Sequence, residues 1–272
     1  MFTFCGNKNY GSLHNLVTEE EGTDGTVRWA GCALNSRKLT IDLQTVPRSD
    51  KASLADPTPW ANQQHPLILV DGVNHRAIMS SPPKLLQDLV RQALEVESAE
   101  QFNDWNANAL KRTKAARAKV ARWQQFVIRL VDERDDPVND WNVQLYGRAA
   151  KKTLQQFAVD VHVYRRDPSL RCFHVNLDEL APENLLELEL RLIASSGTDL
   201  VAYHGIGSQR ILPNGTAMNR DGKWDARIDL GKALGATGDF DLFYPFTTTF
   251  IELRINREPM PMVGKNDVYW FA

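Results

Sequence analysis

The chain has 272 residues, 43% of them apolar, with 32 basic and 34 acidic side chains and a formal net charge of -2. That is room for one large domain or two modest ones, and the apolar share is ordinary for a globular protein. The near-neutral balance excludes a general attraction to nucleic acid, and no apolar run approaches the ~20 residues that span a bilayer.

Residues 1 to about 96 alternate short apolar runs with long polar loops. Met1–Cys5, Leu39–Leu43 and Leu67–Val70 read as strands, the last as one covered on both faces. Between them lies a proline-rich loop from Val46 to Pro66, carrying Trp60 and long enough to serve as a lid. A helix follows. Ser80 or Ser81 is placed to cap it, Pro82 and Pro83 suit its first turn, and Leu85, Leu86, Leu89, Val90, Ala93 and Leu94 share one face. A second helix begins at Ser98, whose spacing to Gln101 matches a capping box. Its second half carries Lys111, Arg112, Lys114, Arg117, Lys119 and Arg122 with no acid among them. This is a solvated linker face, or a patch attracted to an anionic lipid surface.

From Trp123 the period becomes two. Alternation marks strands at Trp141–Tyr146, Phe157–Val163, Leu186–Leu192 and Thr249–Ile255, with further strands at 126–131, 171–177, 200–203 and 227–230. Strands with one apolar face joined by Gly and Pro turns predict an antiparallel β-sandwich. The expected class is therefore α/β plus all-β. Residues 1–96 form an α/β portion, 97–122 a basic helical linker and 123–272 the sandwich.

Cys5, Cys32 and Cys172 are widely spaced and odd in number, which gives no disulfide framework and no Cys-x-x-Cys pattern. They read as buried or free thiols of a reducing compartment rather than redox or metal groups. With no basic, apolar leader ahead of the first strand, the cytoplasm is favoured for this chain. His162, Cys172 and His174 lack metal-ligand spacing. Ser195-Ser196-Gly197, His204-Gly205-Ile206-Gly207 and Gly235-Ala236-Thr237-Gly238 read as turns that complete no phosphate or oxyanion motif. No metal and no cofactor are expected.

Two short segments carry the chemistry. Glu21-Gly22-Thr23-Asp24-Gly25-Thr26-Val27 follows the first strand, and Asp71-Gly72-Val73-Asn74-His75 follows the Leu67–Val70 strand. Gly22 and Gly25 bracket Asp24 and permit a tight turn; Gly72 and Asn74 present His75 on a loop. The pair lies 51 residues apart (75 minus 24), room for one further element. The order acid then histidine suits a hydrolytic triad whose nucleophile comes earlier, and no Gly-x-Ser-x-Gly turn occurs in the chain.

Gly22-Thr23-Asp24-Gly25-Thr26-Val27 resembles the acid loop of α/β-hydrolase lipases, especially those similar to lecithin:cholesterol acyltransferase. Asp71-Gly72-Val73-Asn74-His75 resembles the histidine loop of the same superfamily. The likeness covers residues 1 to about 95 and departs at Arg28, where proline is common. It implies Asp24 as triad acid and His75 as general base, acting on an ester or lipid with a serine supplied upstream or by another chain. By itself this chain is expected to be inactive, and to need an N-terminal hydrolase segment or self-association. The competing expectation is a non-catalytic β-sandwich interaction module with a degenerate hydrolase remnant.

Overall fold

The computed structural model describes residues 1–10, 22–44, 53–55, 64–149, 155–156, 162–198, 201–206, 223–230 and 242–259. The proline-rich loop with Trp60, most of the strand expected at 157–163, the turn at 235–238 and the C-terminal residues from Met260 onward lie largely or wholly outside these.

The first strand, β1 (Thr3–Gly6), precedes a short 3-10 turn at Ala30–Cys32 and then β2 (Ser36–Asp42) and β3 (Ser53–Ala55). Next comes β4 (Leu67–Val70), which pairs with β1 in parallel, Thr3 opposite Leu67 and Gly6 opposite Val70. Every residue of β4 is buried, as its unbroken apolar run predicted. Its two faces meet different clusters. Ile68 packs with Leu89, Trp105 and Ala109, whereas Leu67 and Leu69 pack with Cys5, Trp29 and Phe246.

Helices α1 (Ala77–Ser80), α2 (Lys84–Leu94) and α3 (Ala99–Arg117) follow β4. The cap expected at Ser80 or Ser81 is not used. Pro83 occupies the N-cap without a side-chain bond, and its carbonyl accepts the Gln87 N–H. The buried stripe is also narrower than the sequence face. Leu86, Leu89 and Ala93 are covered, while Leu94, the last residue of the helix, is 83% exposed. The Ser98–Gln101 capping box forms as read, with both reciprocal bonds. Trp105 locks α3 to α2 by donating Nε1–H to the Leu89 carbonyl at 3.0 Å.

Beyond α3 the chain is dominated by strands: β5 (Trp123–Val131), β6 (Trp141–Ala149), β7 (Gln155–Gln156), β8 (His162–Val163), β9 (Leu170–Asn176), then the one-turn α4 (Leu177–Leu180), β10 (Leu185–Ser195), β11 (Val201–His204), β12 (Lys223–Asp229), β13 (Thr248–Arg254) and β14 (Asn256–Pro259). The alternating leucines of 186–192 fall in β10, a strand as their strict period required. An antiparallel sheet runs β12-β10-β6-β7, and β11 pairs with β14. The larger sheet has the order β3-β2-β13-β5-β9-β8.

That larger sheet is not antiparallel throughout. β13 lies parallel to both its neighbours, Ile251 opposite Leu39 of β2 on one side and Ile128 of β5 on the other. Alternation reveals which face of a strand is buried; it carries no information on strand direction or on which segment supplies the neighbour. Hence β2, a strand of the first 96 residues, completes a sheet made mostly from the last 150. Buried side chains of the larger sheet (Ile41, Phe126, Ile251) and of the antiparallel sheet (Leu145, Leu190, Trp224) belong to one hydrophobic core.

Candidate active site

The His75 loop leaves the carboxyl end of β4, and the Asp24 turn, though well beyond the end of β1 in sequence, lies against the same edge of the parallel pair, with Cys5 Sγ 3.5 Å from Asp24 Oδ2. Parallel pairing brings the ends of β1 and β4 to one edge, and the Asp24 turn is held there by the Trp29 Nε1–H bond to the Gly6 carbonyl and the His75 N–H bond to the Asp24 carbonyl. The Asp24 loop is a tight turn. Asp24 N–H donates to the Val27 carbonyl, an isolated bridge joins Thr23 to Arg28, and Gly22 and Gly25 adopt φ of +80° and +94°. A β-carbon at Gly22 would also strike the Trp123 ring at 2.7 Å, so glycine is needed there for packing as well as for φ.

The Asp24 side chain is 2% exposed and fully engaged. Its Oδ1 accepts the backbone N–H groups of Thr26 and Val27 at 3.1 and 2.9 Å. Its Oδ2 stands 3.0 Å from His75 Nδ1 and 3.5 Å from Cys5 Sγ. The His75 backbone N–H donates to the Asp24 carbonyl at 2.9 Å, so the histidine is tied to the acid by main chain and side chain together. A carboxylate accepts only, so Nδ1 carries the proton in this bond. The His75 side chain is 48% exposed, so Nε2 is left on the side of the ring away from the acid.

The histidine loop is fixed from behind. Asn7, just past β1, donates to Asp71 Oδ1 at 3.0 Å and accepts the Gly72 N–H at 2.8 Å, while Lys8 N–H donates to the Val73 carbonyl. Lys119 pairs with Asp71 Oδ2 at 2.5 Å, and this pairing with the Asn7 bond holds the Asp71 carboxyl below its ordinary range. Gly6 lies so close to this loop that a β-carbon on it would sit 2.1 Å from the Val73 carbonyl oxygen. After His75, Asn74 Oδ1 accepts the Ala77 N–H and starts α1. None of these supporting residues has a local sequence signature except Gly72 and Asn74. Asn7 and Lys119 reach the loop from distant elements, and only the fold shows them.

The thiols are the other unforeseen feature. Cys32 Sγ lies 4.0 Å from Cys5 Sγ, immediately behind the Asp24–His75 pair. The Cys5 thiol is pushed far up by its bond with Cys32, by burial and by the charge of Asp24. Trp29 closes this cluster by donating Nε1–H to the Gly6 carbonyl. The loop as a whole rests on the larger sheet through Trp123, over whose ring the Arg28 guanidinium stands at 5.6 Å.

The remaining sequence signals fall elsewhere. His162 opposes Cys172 across β8 and β9, its ring 6.4 Å from that of His174, and Gln125 Nε2 lies within bonding distance of both Cys172 Sγ and His174 Nε2. Among the described residues no cluster of His, Cys, Asp and Glu suits a metal ion. Gly205 abuts the Leu43 carbonyl, and Ile206 N–H donates to it, so this turn docks β11 against the end of β2. In the basic segment, Arg112 pairs with Asp88, Lys119 with Asp71 and Arg122 with Asp178. Arg117 donates to the Leu67 carbonyl and stacks on Phe246, which leaves Lys111 and Lys114 as its exposed charges outside these contacts.

No protein-family model and no curated protein matches this chain. Among solved structures it is similar to phospholipase PlaB from Legionella pneumophila, with a TM-score of 0.64, 15% identity, and coverage of 98% of this chain and 60% of that one. The same phospholipase in complex with thio-NAD gives a TM-score of 0.64 at 14% identity, covering 98% of this chain and 62% of that chain. The chain thus spans about three fifths of the solved protein whose fold it shares.

Proposed function

We propose that this chain supplies the acid and the histidine of a lipid ester hydrolase of α/β-hydrolase type, with the nucleophilic serine contributed by a segment outside it. The observation that carries the reading is the Asp24 Oδ2 to His75 Nδ1 contact of 3.0 Å, made by a buried acid and a half-exposed histidine beside the carboxyl ends of adjacent parallel strands. Held this way, Asp24 fixes the tautomer with Nε2 basic and stabilises the ring when it becomes charged. His75 Nε2 takes the serine proton as the hydroxyl attacks the ester carbonyl, then returns it to the leaving alcohol. The shared fold with a phospholipase supports a lipid ester as substrate. In this reading the two facing larger sheets form a β-sandwich that docks substrate, membrane or a partner. An anionic surface would meet the 111–122 segment through Lys111 and Lys114.

The test is to join the chain to the segment encoded ahead of it, or to co-express the two, and follow phospholipid and short-chain ester hydrolysis. Activity should appear only in the joined or co-assembled form, and His75→Ala should remove it. Vigorous turnover by residues 1–272 alone would show another nucleophile at work. Full activity of the joined His75→Ala protein would return the chain to the class of non-catalytic interaction modules.

A further inference from the structure

The Asp24–His75 pair makes no use of the thiols behind it, yet their placement is specific. Cys5 lies in β1, next to its last residue, and is 2% exposed; Cys32 closes the 3-10 turn on the other side of the Asp24 loop and is half-buried. Their sulfurs are 4.0 Å apart, and Cys5 Sγ also donates to Asp24 Oδ2 at 3.5 Å. A disulfide needs a sulfur separation of about 2.05 Å, so closing this pair takes side-chain rotation of roughly 2 Å between a strand end and a short turn. The third cysteine, Cys172, is engaged on β9 with Gln125.

We propose that Cys5 and Cys32 form a reversible oxidation site for hydroperoxides, whose disulfide removes the thiol donor from Asp24 Oδ2 and thereby alters the Asp24–His75 pair. The chemistry assigns each thiol a role. Cys32 is the more accessible of the two sulfurs, and its contact with Cys5 at 4.0 Å pulls its thiol down, so its thiolate meets the peroxide first. Its sulfur forms a bond to one peroxide oxygen, the O–O bond breaks, and the released hydroxide becomes water on protonation. The Cys32 sulfenic acid is then attacked by Cys5. The S–S bond forms, the S–O bond breaks, and the hydroxyl departs with the Cys5 proton as a second water. In sum, two thiols and one hydrogen peroxide give one disulfide and two waters. Reduction by a dithiol reverses the change.

Two consequences follow for the neighbouring pair. Asp24 Oδ2 keeps His75 Nδ1 as its remaining side-chain donor, which raises the share of the carboxylate charge directed at the imidazole. The staple also ties together the two ends of the segment from residue 5 to residue 32, which includes the whole Asp24 turn. The inference stands apart from the hydrolase reading, because its measurements need no turnover.

The reduced 272-residue chain should be treated with hydrogen peroxide, quenched, and mapped by mass spectrometry with parallel thiol titration. The expected product is a Cys5–Cys32 linked peptide two hydrogens lighter than its reduced parts, reversed by dithiothreitol, with Cys172 still titrating. Cys172→Ser should give the same link. In Cys5→Ser, Cys32 should accumulate as a sulfenic acid captured by dimedone. The His75 imidazole resonances should move on oxidation of the wild-type chain and return on reduction. A link through Cys172, links only between chains, or Cys32 driven to sulfinic acid while Cys5 remains a thiol would overturn the proposal. A clean Cys5–Cys32 link with unmoved His75 resonances would overturn its coupling to the pair. The wild-type map decides the first point even if a cysteine variant fails to fold.

Discussion

Asp24 is a residue whose two oxygens have separate tasks. Oδ1 holds the turn through Thr26 and Val27, and Oδ2 faces His75. Asp24→Asn keeps an oxygen for the turn, so the fold should persist. An amide presented to His75 no longer selects the Nδ1–H tautomer or supports a charged ring. In the completed enzyme kcat should fall by about 10⁴-fold with little change in KM, as measured by steady-state ester hydrolysis. Gly6 tests the other half of the site. Gly6→Ala drives a methyl into the Val73 carbonyl oxygen, contact that main chain cannot relieve without moving the histidine loop. It should cost about 1–3 kcal/mol in denaturant unfolding, and it should shift the His75 imidazole resonances even where the chain stays folded.

At the scale of elements, the histidine loop is held between β1, β4 and the segment just past α3, and its outer anchor is the ion pair Asp71–Lys119. The Asp71 carboxyl titrates below its ordinary 3.8, so its contribution is complete above that value and is lost only as pH falls through the lower folded value. Protection of the Gly72 amide in hydrogen exchange should therefore be insensitive to pH from neutral to about 4 once intrinsic exchange is corrected for, and collapse below it. Lys119→Ala should bring that collapse to higher pH. Trp105 governs the neighbouring layer. It packs on Ile68, meets Phe2 and Phe4 edge-on and donates to Leu89, so Trp105→Ala should cost about 3–5 kcal/mol and detach α3 from β4.

Across the whole molecule, two arrangements set what the chain needs. First, β13 lies between β2 and β5, so a chain beginning at residue 118 lacks one of its neighbours. Such a truncation exposes an apolar strand edge in the larger sheet, and size-exclusion chromatography should show association that the full chain lacks at that edge. Second, β1 and β4 form a two-stranded parallel pair among the described residues, although parallel sheets are ordinarily broad and covered on both faces. Supplying the nucleophile-bearing segment of the proposed enzyme beside β1, fused or in trans, should raise amide protection of Thr3–Gly6. Amides of β1 already protected to the level of β5 in the isolated chain would contradict an unfilled place beside it.

Local pattern alone determined much of this protein. The alternation of 186–192 and 249–255, the continuous run Leu67–Val70, the capping box at Ser98 and the glycines around Asp24 are constraints between residues a few positions apart, and these formed as strand, strand, helix start and turn. The pairing of Asp24 with His75 was legible for a related reason, since each sits on a glycine-marked turn following an apolar run and chemistry limits what an acid and a histidine so placed can do. Only tertiary structure decided the rest. The direction of β13, the loan of β2 to the larger sheet, the Asn7 and Lys119 anchors and the meeting of Cys5 with Cys32 join residues tens to hundreds of positions apart. Such contacts are selected by how buried faces stack and which strand ends coincide, and neither periodicity nor residue type encodes that locally.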